Sequence, residues 1–322
     1  MNNYYESVSN ESQIFAVETA PQLQTQGYLG KEHQEYGICA KRLLVSGKCK
    51  NKNEINHHIN FANSSLPTEE SIIPEPDDDD DNDDDDDREP VRLVDSDTLP
   101  WRMICSLVAS GNSRNSRNLV GTGWFAGPKT VVTAAHNVYD EIDLGGWARS
   151  ITLYPGRYGS LIPYPKDLSF NKPIVSNKYK VLRGWLERDN SKKYNYDLAA
   201  IYLDDSVGEE TGWFAFGVKS NGFIKDLKVN VSGYPVDQGG GKYQYFSKGV
   251  VDLNQSDKFR IFYTADTERG QSGGPVWFQD ERNQPVVIGT HVYGVSRGFT
   301  LNSATRINSD IFEVIQQWIS EA

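Results

Sequence analysis

From Val91 to the C-terminus the chain runs as short apolar stretches broken by glycine and proline. Gly123-Trp124-Phe125-Ala126, a turn at Gly127-Pro128-Lys129 and then Thr130-Val131-Val132-Thr133 predict a β-hairpin. Lys228 to Tyr234 alternates apolar and polar positions, as does Phe259 to Tyr263, the pattern of strands with one buried face. Pro285-Val286-Val287-Ile288-Gly289 reads as a strand buried on both faces. Near the end the period changes: Ile311, Phe312, Ile315, Trp318 and Ile319 share one face of a helix, with Ser309 or Asp310 as its cap. That stripe is core packing. Many short strands closed by one helix predict an all-β sandwich or barrel.

Upstream the texture differs. Residues 1–75 are polar, Asn-rich and weakly periodic, an N-terminal segment of unknown role for which a propeptide is one reading. Residues 76–90 carry Asp77 to Asp81 and Asp83 to Asp87, ten carboxylates around Asn82. Like charges this dense repel each other and bury no apolar surface, so a disordered linker is expected. Residues 91–322 form the expected folded domain. The net charge of −11 comes almost wholly from the aspartate run, and the remainder is close to neutral.

No basic stripe points to nucleic acid, and no apolar run is long enough to span a membrane. Met1 to Glu6 has neither the basic start nor the apolar stretch of a signal peptide. A missing leader, an unusual export route and an intracellular protein all stay open. Three cysteines make no disulfide framework: Cys39 and Cys49 could pair, leaving Cys105 single. Cys39, Cys49, His57 and His58 match no common zinc spacing, so neither metal nor cofactor is expected.

Three separated strings carry chemistry. Thr133-Ala134-Ala135-His136 ends the predicted hairpin in a histidine, and Gly270-Gln271-Ser272-Gly273-Gly274-Pro275 places a serine among glycines. Between them, Tyr196-Asp197-Leu198-Ala199-Ala200-Ile201 sets one carboxylate at the head of an apolar run. A hydroxyl is a weak nucleophile until a base takes its proton, and the base needs a carboxylate to fix its tautomer. His136 is thus the expected general base and acid, Asp197 its orienting partner and Ser272 the nucleophile. Asp204 and Asp205 compete for the carboxylate role, but they follow the apolar strand and belong to a turn. Glycines beside Ser272 permit the dihedrals that aim the N–H groups of Gly270 and Ser272 at an oxyanion.

These strings, in the order His, Asp, Ser, resemble the chymotrypsin-like serine proteases. More narrowly, the chain from about Leu99 onward resembles the bacterial glutamyl endopeptidases. The likeness rests on Gly123-Trp124, Gly127-Pro128-Lys129-Thr130, Tyr154-Pro155-Gly156-Arg157, Asn195-Tyr196-Asp197, Ser232-Gly233-Tyr234-Pro235, Asp266-Thr267, Gly270-Gln271-Ser272-Gly273 and Thr305-Arg306-Ile307-Asn308. It implies a double β-barrel with a C-terminal helix, secretion, and cleavage of proteins or peptides after glutamate, less well after aspartate; a monomer is expected.

At two pocket positions it implies Thr267 and His291, whose hydroxyl and imidazole can bind a carboxylate, with Val292-Tyr293-Gly294 pairing with substrate backbone. Asp266 argues the other way, since trypsin-like enzymes select Arg or Lys with a carboxylate there. A low-turnover binding or toxin-like module is a further alternative, and a pseudoenzyme is disfavoured by the complete set of three residues. Two departures stand out. Gly121-Thr122 and Asn137 replace cysteines that the family often has, and Gln271 replaces the zymogen aspartate that receives a new N-terminus. The resemblance instead suggests a cleavage, placed here near Arg88 to Val91, whose new terminus helps to bind the acidic side chain. Before cleavage, the aspartate run could fill an acid-preferring pocket.

Overall fold

The hairpin foreseen from the apolar pattern seeds the first of two sheets. Ala126 and Gly127 both donate to the Thr130 carbonyl, at 3.0 and 3.3 Å, and close the turn. The computed structural model describes residues 3–10, 37–38, 86–112, 118–165, 173–187, 192–295 and 300–322. All but Asp86 belong to one unit of the chain. Cys39, Cys49, His57, His58 and residues 77–85 lie outside the described side chains, so the expectations placed on them are not addressed.

The first sheet contains β1 (Ser7–Ser9), β2 (Ile104–Ser110), β3 (Leu119–Phe125), β4 (Thr130–Thr133), β5 (Ser150–Pro155), β6 (Ile174–Ser176), β7 (Tyr179–Leu182) and β8 (Ala199–Tyr202). Its order is β1-β7-β8-β4-β3-β2-β5-β6. The second contains β9 (Ala215–Gly217), β10 (Lys228–Gly233), β11 (Tyr245–Asp252), β12 (Arg260–Tyr263), β13 (Pro275–Gln279), β14 (Pro285–Tyr293) and β15 (Asn302–Arg306). Its order is β13-β10-β11-β12-β15-β14-β9, followed by Gly37–Ile38, and a further β13–β14 pairing closes six strands into a ring. Closure leaves those six strands no open edge. The fold is the mostly β, two-barrel architecture with one terminal helix.

Strand β14 runs four residues past the predicted Gly289, because its polar residues are satisfied internally. Trp124 Nε1 donates to Thr290 Oγ1 at 3.2 Å, and His291 Nδ1 lies 2.6 Å from the Tyr263 hydroxyl. The helix α1 (Ser309–Glu321) also differs by one residue at its start. Its cap is Asn308, whose side-chain oxygen accepts from the Ile311 N–H at 2.9 Å, not Ser309 or Asp310. Asp310 sits in the first turn instead, where a carboxylate suits the positive end of the helix. Ile311, Phe312, Ile315 and Trp318 of α1 join Trp124, Val132, Phe216 and Trp277 in one apolar cluster drawn from both sheets.

The change of texture at residue 91 is not where the fold begins. Strand β1 pairs antiparallel with β7, Ser7 opposite Leu182 and Ser9 opposite Lys180. Tyr5 is only 4 % exposed.

Candidate active site

Strand register brings the first two candidate residues together. β8 pairs with β4 with Ala199 opposite Thr133, so Asp197, two residues earlier, faces the turn three residues beyond Thr133. That turn, Ala135–Asn137, holds His136. His136 Nδ1 lies 2.8 Å from Asp197 Oδ2, and the His136 backbone N–H donates to Oδ1 at 3.0 Å. Tyr293 donates a third hydrogen bond from its hydroxyl to Oδ2. An ionised carboxylate only accepts, so the imidazole proton sits on Nδ1 and Nε2 is left as a base. Asp204 pairs instead with Lys178 at the surface, 2.8 Å away, and takes no part.

Burial alone would push the Asp197 carboxyl up. The His136 charge and hydrogen bond, then the Tyr293 hydroxyl and the backbone N–H, outweigh it and hold the group below the usual carboxylate range. Burial likewise pushes His136 down, but Asp197 reverses the sign through charge and hydrogen bond, and the imidazole ends above its ordinary value. The pair thus favours an imidazolium against a carboxylate, the charge state a proton-accepting histidine reaches during acyl transfer.

Ser272 sits on a loop that only glycine can build. Gly270 has φ of +99° and Gly273 of +91°. A Cβ at Gly270 would lie 2.5 Å from the Tyr234 carbonyl, and one at Gly273 would run into the Thr122 carbonyl. The N–H groups of Gly270 and Ser272 make no hydrogen bond among the described residues and remain available to an oxyanion. The Ser272 hydroxyl donates to the Val292 carbonyl at 3.4 Å and not to His136. The two loops are nonetheless stitched together: Asn137 Nδ2 donates to the Ser272 carbonyl at 2.8 Å and to Thr133 Oγ1 at 2.9 Å. Asn137 lies against Gly121, where a Cβ would meet its amide nitrogen at 2.5 Å. Asn137 thus staples the two loops from one of the positions where the resemblance implies cysteine, packed against Gly121 at the other.

Of the expected pocket residues, Thr267 and Gly294 lie side by side. A Cβ at Gly294 would lie 3.9 Å from Thr267 Oγ1 and 3.5 Å from Asn302 Oδ1. Thr267 Oγ1 is buried and makes no hydrogen bond among the described residues. His291 is 2 % exposed. Burial, with help from the nearby His136, lowers its pKa to about 3 against a weaker opposing effect of the Ser303 backbone. It is therefore neutral at pH 7. Asp266 is committed elsewhere: its carboxylate accepts from the Asp87 backbone N–H at 3.1 Å. Val292 is buried in β14, where its carbonyl receives the Ser272 hydroxyl.

The sequence reading missed two features. It considered Tyr293 only as part of the segment pairing with substrate backbone and did not foresee its side chain, whose ring stacks on His136 at 6.0 Å between centroids and whose hydroxyl donates to Asp197. It also missed an aromatic wall in which Trp185 lies 6.4 Å from His136 and Tyr194 lies 5.5 Å from Tyr293. No local motif announces either, since both depend on packing between distant segments. Tyr293→Phe should lower kcat about tenfold, since a buried carboxylate loses one of its donors. With less of the Asp197 charge shared, the acid limb of the kcat/KM profile should move to higher pH, which a pH-rate series reads directly.

Compared with known proteins, residues 96–319 match the family described as Trypsin. The chain belongs to the trypsin family of chymotrypsin-like serine proteases. It is a serine endopeptidase, acting on protein or peptide substrates. It is 32 % identical over 235 residues to the glutamyl endopeptidase of Bacillus licheniformis, covering 72 % of this chain and 67 % of that protein. An extracellular metalloprotease of Bacillus subtilis is also 32 % identical, over 234 residues, covering 72 % and 68 %. The fold is similar to a solved Glu endopeptidase in complex with MPD, with a TM-score of 0.57 and 24 % identity, covering 74 % of this chain and 98 % of that one. Among the described residues, no helix is long and apolar enough to cross a membrane, and no group of three or more His, Cys, Asp or Glu side chains is placed to hold a metal ion.

Proposed function

We propose that this serine endopeptidase cleaves after glutamate, and less well after aspartate, with His136, Asp197 and Ser272 as its catalytic residues. The observation that carries the specificity is the buried Thr267 hydroxyl, which has no hydrogen-bond partner among the described residues and lies 3.9 Å from where a Cβ at Gly294 would stand. A buried donor without a partner costs stability unless a ligand completes it. The Tyr263 hydroxyl lies 2.6 Å from Nδ1 of the neutral His291, and in the tautomer where Nδ1 accepts that hydroxyl, Nε2 carries the ring proton. A hydroxyl and an imidazole N–H together suit a carboxylate; in the uncut chain the Asp266 carboxylate, which would select a basic residue, accepts from the Asp87 backbone N–H.

In the reaction, the Ser272 hydroxyl turns from the Val292 carbonyl to His136 Nε2 and gives up its proton as the oxygen attacks the scissile carbonyl. The N–H groups of Gly270 and Ser272 receive the oxyanion, and His136 passes the proton to the leaving amine. Water then hydrolyses the acyl-enzyme by the same route, restoring the hydroxyl. We also place the enzyme outside the cell, as a monomer, in line with the extracellular relative. A cut within Arg88 to Val91 would first require peeling a docked strand, because Glu89–Pro90 pairs with β11 and Arg88 binds Asp237 at 2.6 Å.

Fluorogenic peptides with Glu, Asp, Gln, Arg or Phe before the scissile bond test the proposal. Glu should be cut best and Asp next; hydrolysis after Arg alone overturns the specificity, and no hydrolysis of any favours a binding module. Thr267→Val should lower kcat/KM for the Glu peptide about 10- to 100-fold, the worth of one hydrogen bond to a charged group, and cost the Gln peptide less.

A further inference from the structure

The N-terminal residues make contacts that a detachable segment has no need of. Ser7–Ser9 extend the first sheet on β7, and Asn10 continues the register, its N–H donating to the Tyr179 carbonyl at 3.2 Å and its side-chain oxygen accepting from the Tyr179 N–H at 2.8 Å. The Arg183 N–H donates to the Glu6 carbonyl at 2.7 Å, while the Arg183 guanidinium pairs with the Glu6 carboxylate at 2.8 Å. Trp318 Nε1 of α1 donates to the Ser7 hydroxyl at 2.7 Å. Asn308, the cap of α1, reaches the Tyr5 hydroxyl at 3.4 Å.

The aromatic pair at positions 4 and 5 lies next to the chemistry. Both rings pack on Tyr196 with centroids 5.5 Å away, and Tyr196 immediately precedes Asp197. Tyr196 also rests on Gly184, where any side chain would collide with the ring. The loop that delivers Asp197 is thus packed on both Gly184 and the tyrosines at 4 and 5.

We propose that residues 3–10 are a strap of the working catalytic domain, bracing Tyr196–Asp197, and that they stay bound when the chain between residues 11 and 85 is cut. Hydrolysis of one linking peptide bond there, water supplying the new carboxylate and amine, would leave two pieces with the strap still seated on β7 and α1. An edge strand adds main-chain hydrogen bonds, while Tyr5 and Ser7 give register and selectivity, the logic of strand addition. Strap contacts act on Asp197 through Tyr196, so they position a catalytic group without touching substrate.

The test inserts a site for a foreign protease between Glu11 and Ser12 of the full chain. In a Ser272→Ala version, native mass spectrometry of the cut protein should show residues 1–11 still attached. In the active version, dilution should release the peptide and lower kcat about 10- to 100-fold, the scale of a small misplacement of a catalytic group. KM should change little, and the acid limb of kcat/KM should move to lower pH as Asp197 loosens from His136. Synthetic peptide 1–11 should restore both readouts, and the same peptide with Tyr5→Ala should restore neither. An enzyme shown to have lost the peptide yet keeping kcat and pH profile overturns the proposal, as does equal rescue by the Tyr5→Ala peptide. If the peptide never leaves, Ser7→Pro in the full chain must produce the same two changes; unchanged kinetics there also overturn it.

Discussion

Replacing Asp197 by asparagine should lower kcat by about 10,000-fold, with a much smaller change in KM. The amide presents both an acceptor and a donor where the carboxylate only accepts, so the imidazole can settle in the tautomer that leaves no base toward Ser272. The variant should also move the acid limb of the pH-rate profile. In the native protein the Asp197 charge carries His136 above its ordinary value against the opposing pull of burial. Without the charge, burial prevails and the midpoint falls below the usual histidine value. A limb that stays in place would show that Asp197 is not what sets the base.

Gly270→Ala comes next in expected effect. Its φ of +99° is accessible to glycine and strained for any other residue, and the added methyl would meet the Tyr234 carbonyl at 2.5 Å and Val236 Cγ2 at 2.9 Å. Relief of that clash must swing the Gly270 N–H away from where the oxyanion develops. Loss of one such donor costs about 100- to 1,000-fold in kcat, with KM largely preserved. Steady-state kinetics beside a thermal melt separates the two consequences, because the melt reads the strain and kcat reads the lost donor. Wild-type kcat in a correctly folded variant would remove Gly270 from the oxyanion site.

Both variants address positions that the sequence already marked, and the reason is physical. A hairpin ending in histidine, one carboxylate at a strand head and glycines around a serine are local constraints, each visible in a few consecutive residues. The strand-rich architecture was equally readable because period-two alternation is local. Contacts across the sheets were not. Tyr293 looked like any aromatic residue at the end of a strand, and only the closure of β14 against β15 aims its hydroxyl at Asp197. Asn308 escaped notice as a cap because three capping residues stand in a row and register alone selects among them. Residues 3–10 were invisible for a related reason, as an eight-residue polar stretch carries too few positions to reveal a buried face.

The amide staple between the histidine and serine loops has a consequence for where such an enzyme can operate. Asn137, seated on Gly121, joins the loops through neutral hydrogen bonds, and the one cysteine described in the catalytic region, Cys105, is a buried free thiol. Nothing in that junction can be reduced or reshuffled. The register of the two loops is therefore indifferent to electron donors, and the cleft keeps its shape in glutathione-rich surroundings as well as in oxidising ones.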